Sequence, residues 1–121
     1  MIVVDASAVL EILKQTSTGL EFAAALDGHL LHAPHLIDLE VTQAMRRWES
    51  RGEISPRAAQ RALETFLLMP VTRYPHITFL PGIWALRHNL TAYDAAYLVL
   101  TKSLDAKLLT MDSALRGLAE S

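Results

Sequence analysis

The chain has 121 residues, 51% of them hydrophobic, a formal net charge of −2 and no cysteine; the length predicts one domain, residues 1–121, with a single core, and the missing cysteines exclude disulfides and thiolate metal sites. A mean hydropathy of +0.23 predicts an apolar surface that meets another chain. The near-neutral charge argues neither for nor against a nucleic-acid substrate, and any basic surface has to be local.

Met1 leads straight into Ile2-Val3-Val4-Asp5 with no basic leader, and no apolar run reaches the ~18 residues of a membrane span. A reducing cytoplasm, away from membranes, is the expected location. Along the chain, short apolar runs alternate with helical periodicity, which predicts an α/β fold. Ile2–Val4 reads as a buried strand ending at Asp5, and 6–14 as a helix. Thr18-Gly19-Leu20-Glu21 has the spacing of a capping box opening a second helix, which Asp27-Gly28 ends. Residues 30–33 read as a second strand, after which Pro34 opens a helix.

That helix carries Ile37, Val41, Ala44, Met45 and Trp48 on one stripe and stops at Gly52. Ser55-Pro56 starts the next one, which runs to about Met69. Residues 71–74 form a third strand. A helix near 81–88 follows, with a poorly defined start at Pro81-Gly82. Residues 91–104 form a helix with Leu90, Tyr93, Tyr97, Leu100 and Leu104 on one face. Residues 107–110 are the last strand, and Asp112 opens the terminal helix.

Four acids stand out. Asp5 and Asp112 each follow a short apolar run and precede a helix, and a parallel sheet sends such strand ends to one edge, where its ligand crevice lies. Asp94 sits in the first turn of a helix that can face the same edge. Glu40 lies about 60° from Ile37 and about 40° from Ala44 at 100° per residue, so it borders the buried stripe. Asp38 borders the stripe on its other side, and phase alone does not choose between them. Each acid has an ordinary structural role open to it: helix cap for Asp5 and Asp112, capping-box partner of Thr91 for Asp94, solvated flank for Glu40. Together, like charges at one edge are costly unless a cation neutralises them. Carboxylates with retained waters suit Mg²⁺, and Mn²⁺ accepts the same donors. Such an ion polarises a phosphoryl oxygen and lowers the pKa of water. Ser7 either orients a carboxylate or water there or satisfies first-turn helix amides.

With IVVDASAV, HLIDLEVTQAM, LTAYDAAYLVL and KLLTMDSAL in that order, the chain resembles the PIN-domain ribonucleases, and among them the toxins of the VapC type. The likeness spans nearly the whole chain. It implies a three-layer α/β/α sandwich with a mainly parallel sheet. It places Asp5, Glu40, Asp94 and Asp112 at the family's acidic metal-binding and catalytic positions, with Asp5 and Asp94 as main ligands. It implies a Mg²⁺- or Mn²⁺-dependent endoribonuclease, the toxin of a toxin–antitoxin pair, with RNA as substrate, a cognate antitoxin arm over the cleft, and a homodimer. A different class of function stays open: a non-catalytic partner-binding module with a PIN-like fold. A phospho-accepting receiver is rejected, because Asp5 is followed by Ala6 and not by a second acid.

Arg46, Arg47, Arg51, Arg57 and Arg61 fall within 16 residues opposed only by Glu49 and Glu53. They read as a solvated face or as a basic wall for RNA or an acidic partner, with Arg46 and Arg47 nearest the acids. His29, His32 and His35 are split by Pro34 and a strand and do not form a zinc site; His76 and His88 read as surface residues. Trp48, Trp84, Phe22, Phe66 and Phe79 read as core or interface rather than base-stacking platforms. No phosphate-binding glycine loop is present.

Overall fold

The computed structural model describes residues 1–121. Strands β1 (Ile2–Val4), β2 (Leu31–Pro34), β3 (Val71–Tyr74) and β4 (Lys107–Leu109) form one parallel sheet in the order β3-β2-β1-β4. The chain steps outward from β1 to β2 to β3, then jumps back across β1 to β4. Right-handed crossovers in opposite directions send their helices to opposite faces. Helix α1 (Ala6–Lys14) accordingly packs with α2 (Ser17–Leu26), α3 (Leu36–Ser50) and α4 (Pro56–Leu68), while α6 (Ala92–Ser103) packs with α5 (Leu80–Ala85) and α7 (Ser113–Glu120). The result is the α/β/α sandwich that the resemblance implied. The order reverses between β1 and β4, so their C-terminal ends form the topological switch point where α/β sheets bind ligands.

The sheet is short and apolar because it is covered on both faces. Val3, Val4, Val9, Ile37, Val41 and Leu100 are fully buried in one core cluster. Burying each such side chain contributes about 1.5–3 kcal/mol.

Several boundaries differ from the expected ones, each for a local reason. The capping box at Thr18 and Glu21 is not used. Thr16 caps α2 instead, accepting from the Gly19 amide at 2.9 Å and donating to Glu11 Oε2 at 2.6 Å. Gln15 takes the left-handed conformation (φ 58°) that turns α1 into α2. The corner is so tight that a Cβ on Gly19 would lie 2.0 Å from the Glu11 carbonyl oxygen.

Pro34 ends β2 rather than opening α3. It is tolerated in an inner strand because β1 pairs only with Leu31 and His32 and has diverged by that point. No side chain of α3 itself caps its start. The ring of His76 accepts from the Leu36 amide at 3.0 Å, so His76 is not a bystander on the surface. The helix expected near 81–88 starts earlier, with a 3₁₀ turn at Ile77–Phe79 leading into α5. Tyr93 does not share the buried face of α6; it is 61% exposed, and Ala95, Ala96, Tyr97 and Leu98 fill that interface.

Candidate active site

Asp5 follows β1 in extended backbone and N-caps α1. Its Oδ1 accepts from the Ala8 amide (3.0 Å) and from Ser7 Oγ (2.6 Å), and its Oδ2 accepts from the Thr110 hydroxyl. Thr110, fully buried just beyond β4, takes the Asp112 amide on the same oxygen (3.0 Å). Ser7 Oγ takes the Met111 amide (2.9 Å), and the Asp5 amide donates to the Leu109 carbonyl (3.1 Å). Asp112 N-caps α7 through the Leu115 amide (3.0 Å). Asp5 and Asp112 are therefore capping residues and neighbours at one sheet edge at the same time. The two ordered hydroxyls between them fix Asp5 from both sides.

The other two acids come from helices. Glu40 lies half-buried in the second turn of α3, and the phenol of Tyr97 donates to its Oε1 at 2.6 Å. Asp94 lies in the first turn of α6, its amide donating to the capping Thr91 hydroxyl (3.1 Å). Burial pushes the Glu40 carboxyl above the usual carboxylate range, and the charges of Asp5 and Asp94 push it further, against the Tyr97 hydrogen bond. Burial also raises Asp94, helped by the charges of Asp112 and Asp5 and opposed by Thr91. These mutual repulsions tie all four acids into one electrostatic cluster, although they are 35, 54 and 18 residues apart in chain order. Asp38, which helix phase could not separate from Glu40, is excluded by its partner: Arg73 of β3 holds it at 2.8 Å, the single ion pair of the chain.

The donor set is all oxygen, which suits a hard divalent cation. The side chains do not close on one point as a finished three-ligand cage. Mg²⁺ needs none, since it keeps several waters and takes one or two carboxylates directly. The residues therefore fit a water-rich Mg²⁺ or Mn²⁺ site. Two cavities of about 560 Å³ each are lined by none of the four acids. One lies around Lys14, Trp48 and Arg61, at the end of α1 remote from Asp5.

Arg46 and Arg47, both exposed, part company in the structure. Arg47 follows Glu40 by seven residues, so it points within about 20° of it some 10 Å along α3, whereas Arg46 is turned about 120° away. Arg46 is held by Gln43 (3.1 Å) and faces α4 around Pro56 and Gln60. None of the five clustered arginines has a carboxylate partner. His29 and His35 are exposed, while His32 is buried in β2, with Nδ1 against the Tyr74 hydroxyl at 2.7 Å. Its pKa is lowered by burial and by the N-terminal charge. The three rings do not converge.

Two residues of this edge escaped the reading of the sequence. Tyr97 read as one position on the apolar face of helix 91–104 and Thr110 as a strand end. The available signal was spacing: Asp5-x-Ser7 at one strand end is mirrored by Thr110-x-Asp112 at the other.

Residues 2–121 match the PIN domain. The chain belongs to the PIN-domain family. It is 41% identical over 112 residues to a VapC ribonuclease of Mycobacterium bovis, covering 93% of this chain and 86% of that one. Ribonuclease VapC1 of Mycobacterium tuberculosis is also 41% identical, over 115 residues with the same coverage. Among solved structures, PAE2754 from Pyrobaculum aerophilum superposes with a TM-score of 0.71 at 25% identity, covering 97% of this chain and 78% of that one. The M. tuberculosis toxin VapC20 shares the fold at a TM-score of 0.70 and 15% identity, covering 97% and 94%. The PIN-domain fold and the VapC kinship expected from the four sequence blocks are thus both found.

Proposed function

We propose that residues 1–121 act as one domain, a Mg²⁺- or Mn²⁺-dependent endoribonuclease, and that the chain is the toxin of a type II toxin–antitoxin pair. What supports this is the placement of Asp5, Glu40, Asp94 and Asp112 within electrostatic reach of one another near the switch point of a PIN-domain chain. Asp5 and Asp94 would hold the cation, with Glu40 and Asp112 completing the site through waters or a second ion. When bound, the cation supplies positive charge against the scissile phosphate and lowers the pKa of a nearby water. The protein's part is positioning. Ser7 and Thr110 fix the direction of the Asp5 carboxylate, and the cap of Asp112 fixes the far side of the edge. Arg47, aligned with Glu40 along α3, is placed to steady an RNA phosphate.

The cognate antitoxin is proposed to lay an arm across this sheet edge and block the acids. The hydrophobic side chains of Ile77, Leu80, Trp84 and Tyr93 stand exposed around α5 and the start of α6. They support a homodimer through that face, which gel filtration with light scattering tests. No helix is long and apolar enough to cross a membrane, and we place the protein in the cytoplasm with its RNA substrate.

The deciding experiment is RNA cleavage with Mg²⁺ or Mn²⁺ by the wild type, Asp5→Asn and Asp94→Asn. Loss of cleavage by both folded variants is the expected result. Cleavage at wild-type rates by both sinks the site.

A further inference from the structure

Tyr97 is a buried side chain whose hydroxyl reaches the carboxylate cluster. It lies on α6 three residues after Asp94 and is 2% exposed. Its phenol donates to Glu40 Oε1 at 2.6 Å. One hydroxyl thus links α3, which carries Glu40, to α6, which carries Asp94. Helices α3 and α6 share little other contact, so this bond is the main direct tie between the helix of Glu40 and the helix of Asp94.

The acids differ in how they are held. Asp5 has three donors, Asp112 a backbone amide, and Asp94 the Thr91 hydroxyl. Glu40 has the longest side chain, sits in mid-helix without a capping partner, and is repelled by Asp5 and Asp94. Released from its one donor, it would swing outward to water. The phenol is a dependable donor, because burial and the Glu40 charge hold its pKa far above the ordinary tyrosine value. With Oε1 occupied, Oε2 remains for a cation or its water shell.

We propose that Tyr97 is a positioning residue: its hydroxyl holds Glu40 in the cluster against the repulsion of Asp5 and Asp94, so that cation affinity depends on a group that touches neither the cation nor RNA. The proposal rests on the metal-site reading above. Partners that orient metal ligands from behind typically contribute about 10–100-fold in affinity or activity. Here the contribution falls on affinity, since Tyr97 is remote from the reacting atoms.

The test is calorimetric titration of Mn²⁺ into the intact protein, with metal-free melting and cleavage at graded Mn²⁺ run alongside. Tyr97→Phe keeps the ring and removes the hydroxyl. It is expected to weaken Mn²⁺ binding about tenfold or more, to move the metal-free melting temperature little, and to recover most of the cleavage rate at saturating Mn²⁺. In a Glu40→Gln background the same change should produce no further loss, because the group it positions has been neutralised. Glu40→Asp leaves Tyr97 and the core intact but withdraws the carboxylate from the phenol, and it should weaken Mn²⁺ binding as Tyr97→Phe does. Wild-type affinity in either Tyr97→Phe or Glu40→Asp overturns the positioning role, as does an equal loss in the Glu40→Gln background. Absence of saturable Mn²⁺ binding by the wild type overturns the metal site itself, and this proposal with it.

Discussion

At the β1–β4 edge, Asp5 and Asp112 are set among donors: two hydroxyls and two amides fix their carboxylates, and further backbone bonds stitch residue 5 to residues 109–112. On the helices, the Glu40 carboxylate takes the Tyr97 hydroxyl and the Asp94 amide is bonded to Thr91, and both carboxyls are raised by burial and by their neighbours' charges. The first pair is pre-ordered by the fold, at strand ends that also start helices. The second pair is brought in by helices α3 and α6 and stays electrostatically uncomfortable until positive charge arrives. The difference teaches that the proposed cation site joins a half ordered by the fold to a half strained by burial and by like charge. A cation should relieve the second half and leave the first almost unchanged.

The largest expected effect is on catalysis, where the two halves should behave alike. Asp5→Asn and Asp94→Asn each remove one charge from the site, and each should lower cleavage at least on the order of 10²-fold, the scale for loss of one preorganised electrostatic partner. Next in size is metal-free stability, where the halves should diverge. In Asp5→Asn an amide nitrogen replaces one of two accepting oxygens, Oδ1 being addressed by Ser7 and Ala8 and Oδ2 by Thr110, and a misdirected buried donor costs about 1–3 kcal/mol. Its melting temperature should fall by several degrees. Asp94→Asn relieves repulsion from Asp112 and Asp5 and should melt slightly higher than the wild type. Both are measured by calorimetry in chelator; a shift of the same sign in the two variants would break the comparison.

The same division runs through what could be read in advance. The scaffold half was legible: apolar runs ending at Asp5 and before Asp112, each followed by helical periodicity, place both acids at strand ends and helix starts. The α/β class followed from the same alternation. The other half depended on contacts across distance. Helix phase put Asp38 and Glu40 at the two borders of one stripe, and only Arg73 on β3 and Tyr97 on α6 decide between them. Tyr93 and Tyr97 looked equivalent because they are four residues apart, yet Tyr97 joins the core cluster built on the sheet and Tyr93 is left in solvent. Local rules failed where competing caps lay close together, as at Thr16 and Thr18. They failed again at Pro34, where the divergence of β1 from β2 removes the penalty that a proline would otherwise carry.

A smaller effect concerns pH. Glu40 and Asp94 have folded pKa values above their reference values of 4.5 and 3.8. The folded state therefore binds more protons than the unfolded state between the reference and the raised values. Stability from these groups is fully present below the unfolded pKa and is lost as pH rises through the folded one. In chelator, the melting temperature of the wild type should carry a downward component as pH climbs from about 4 through the raised values. The Glu40→Gln, Asp94→Asn double variant should lack that component, and saturating Mn²⁺ should reverse its sign. A wild type and double variant with parallel melting profiles in chelator would show that the strain is not where the comparison puts it.

The smallest effect separates two arginines that the sequence treats as a pair. Arg47 points along the Glu40 side of α3, so it belongs with the helical half of the cleft; Arg46 is turned toward α4 and held by Gln43. A phosphate contact made by Arg47 would contribute one released counterion. Arg47→Ala should then weaken RNA binding a few-fold at moderate salt and reduce the slope of log affinity against log salt by about 1. Arg46→Ala should leave the slope nearly unchanged, which filter binding across a salt series resolves. Equal and shallow effects from the two would mean that the basic stretch acts as a diffuse solvated face. RNA alignment would then fall to the acids and their cation alone.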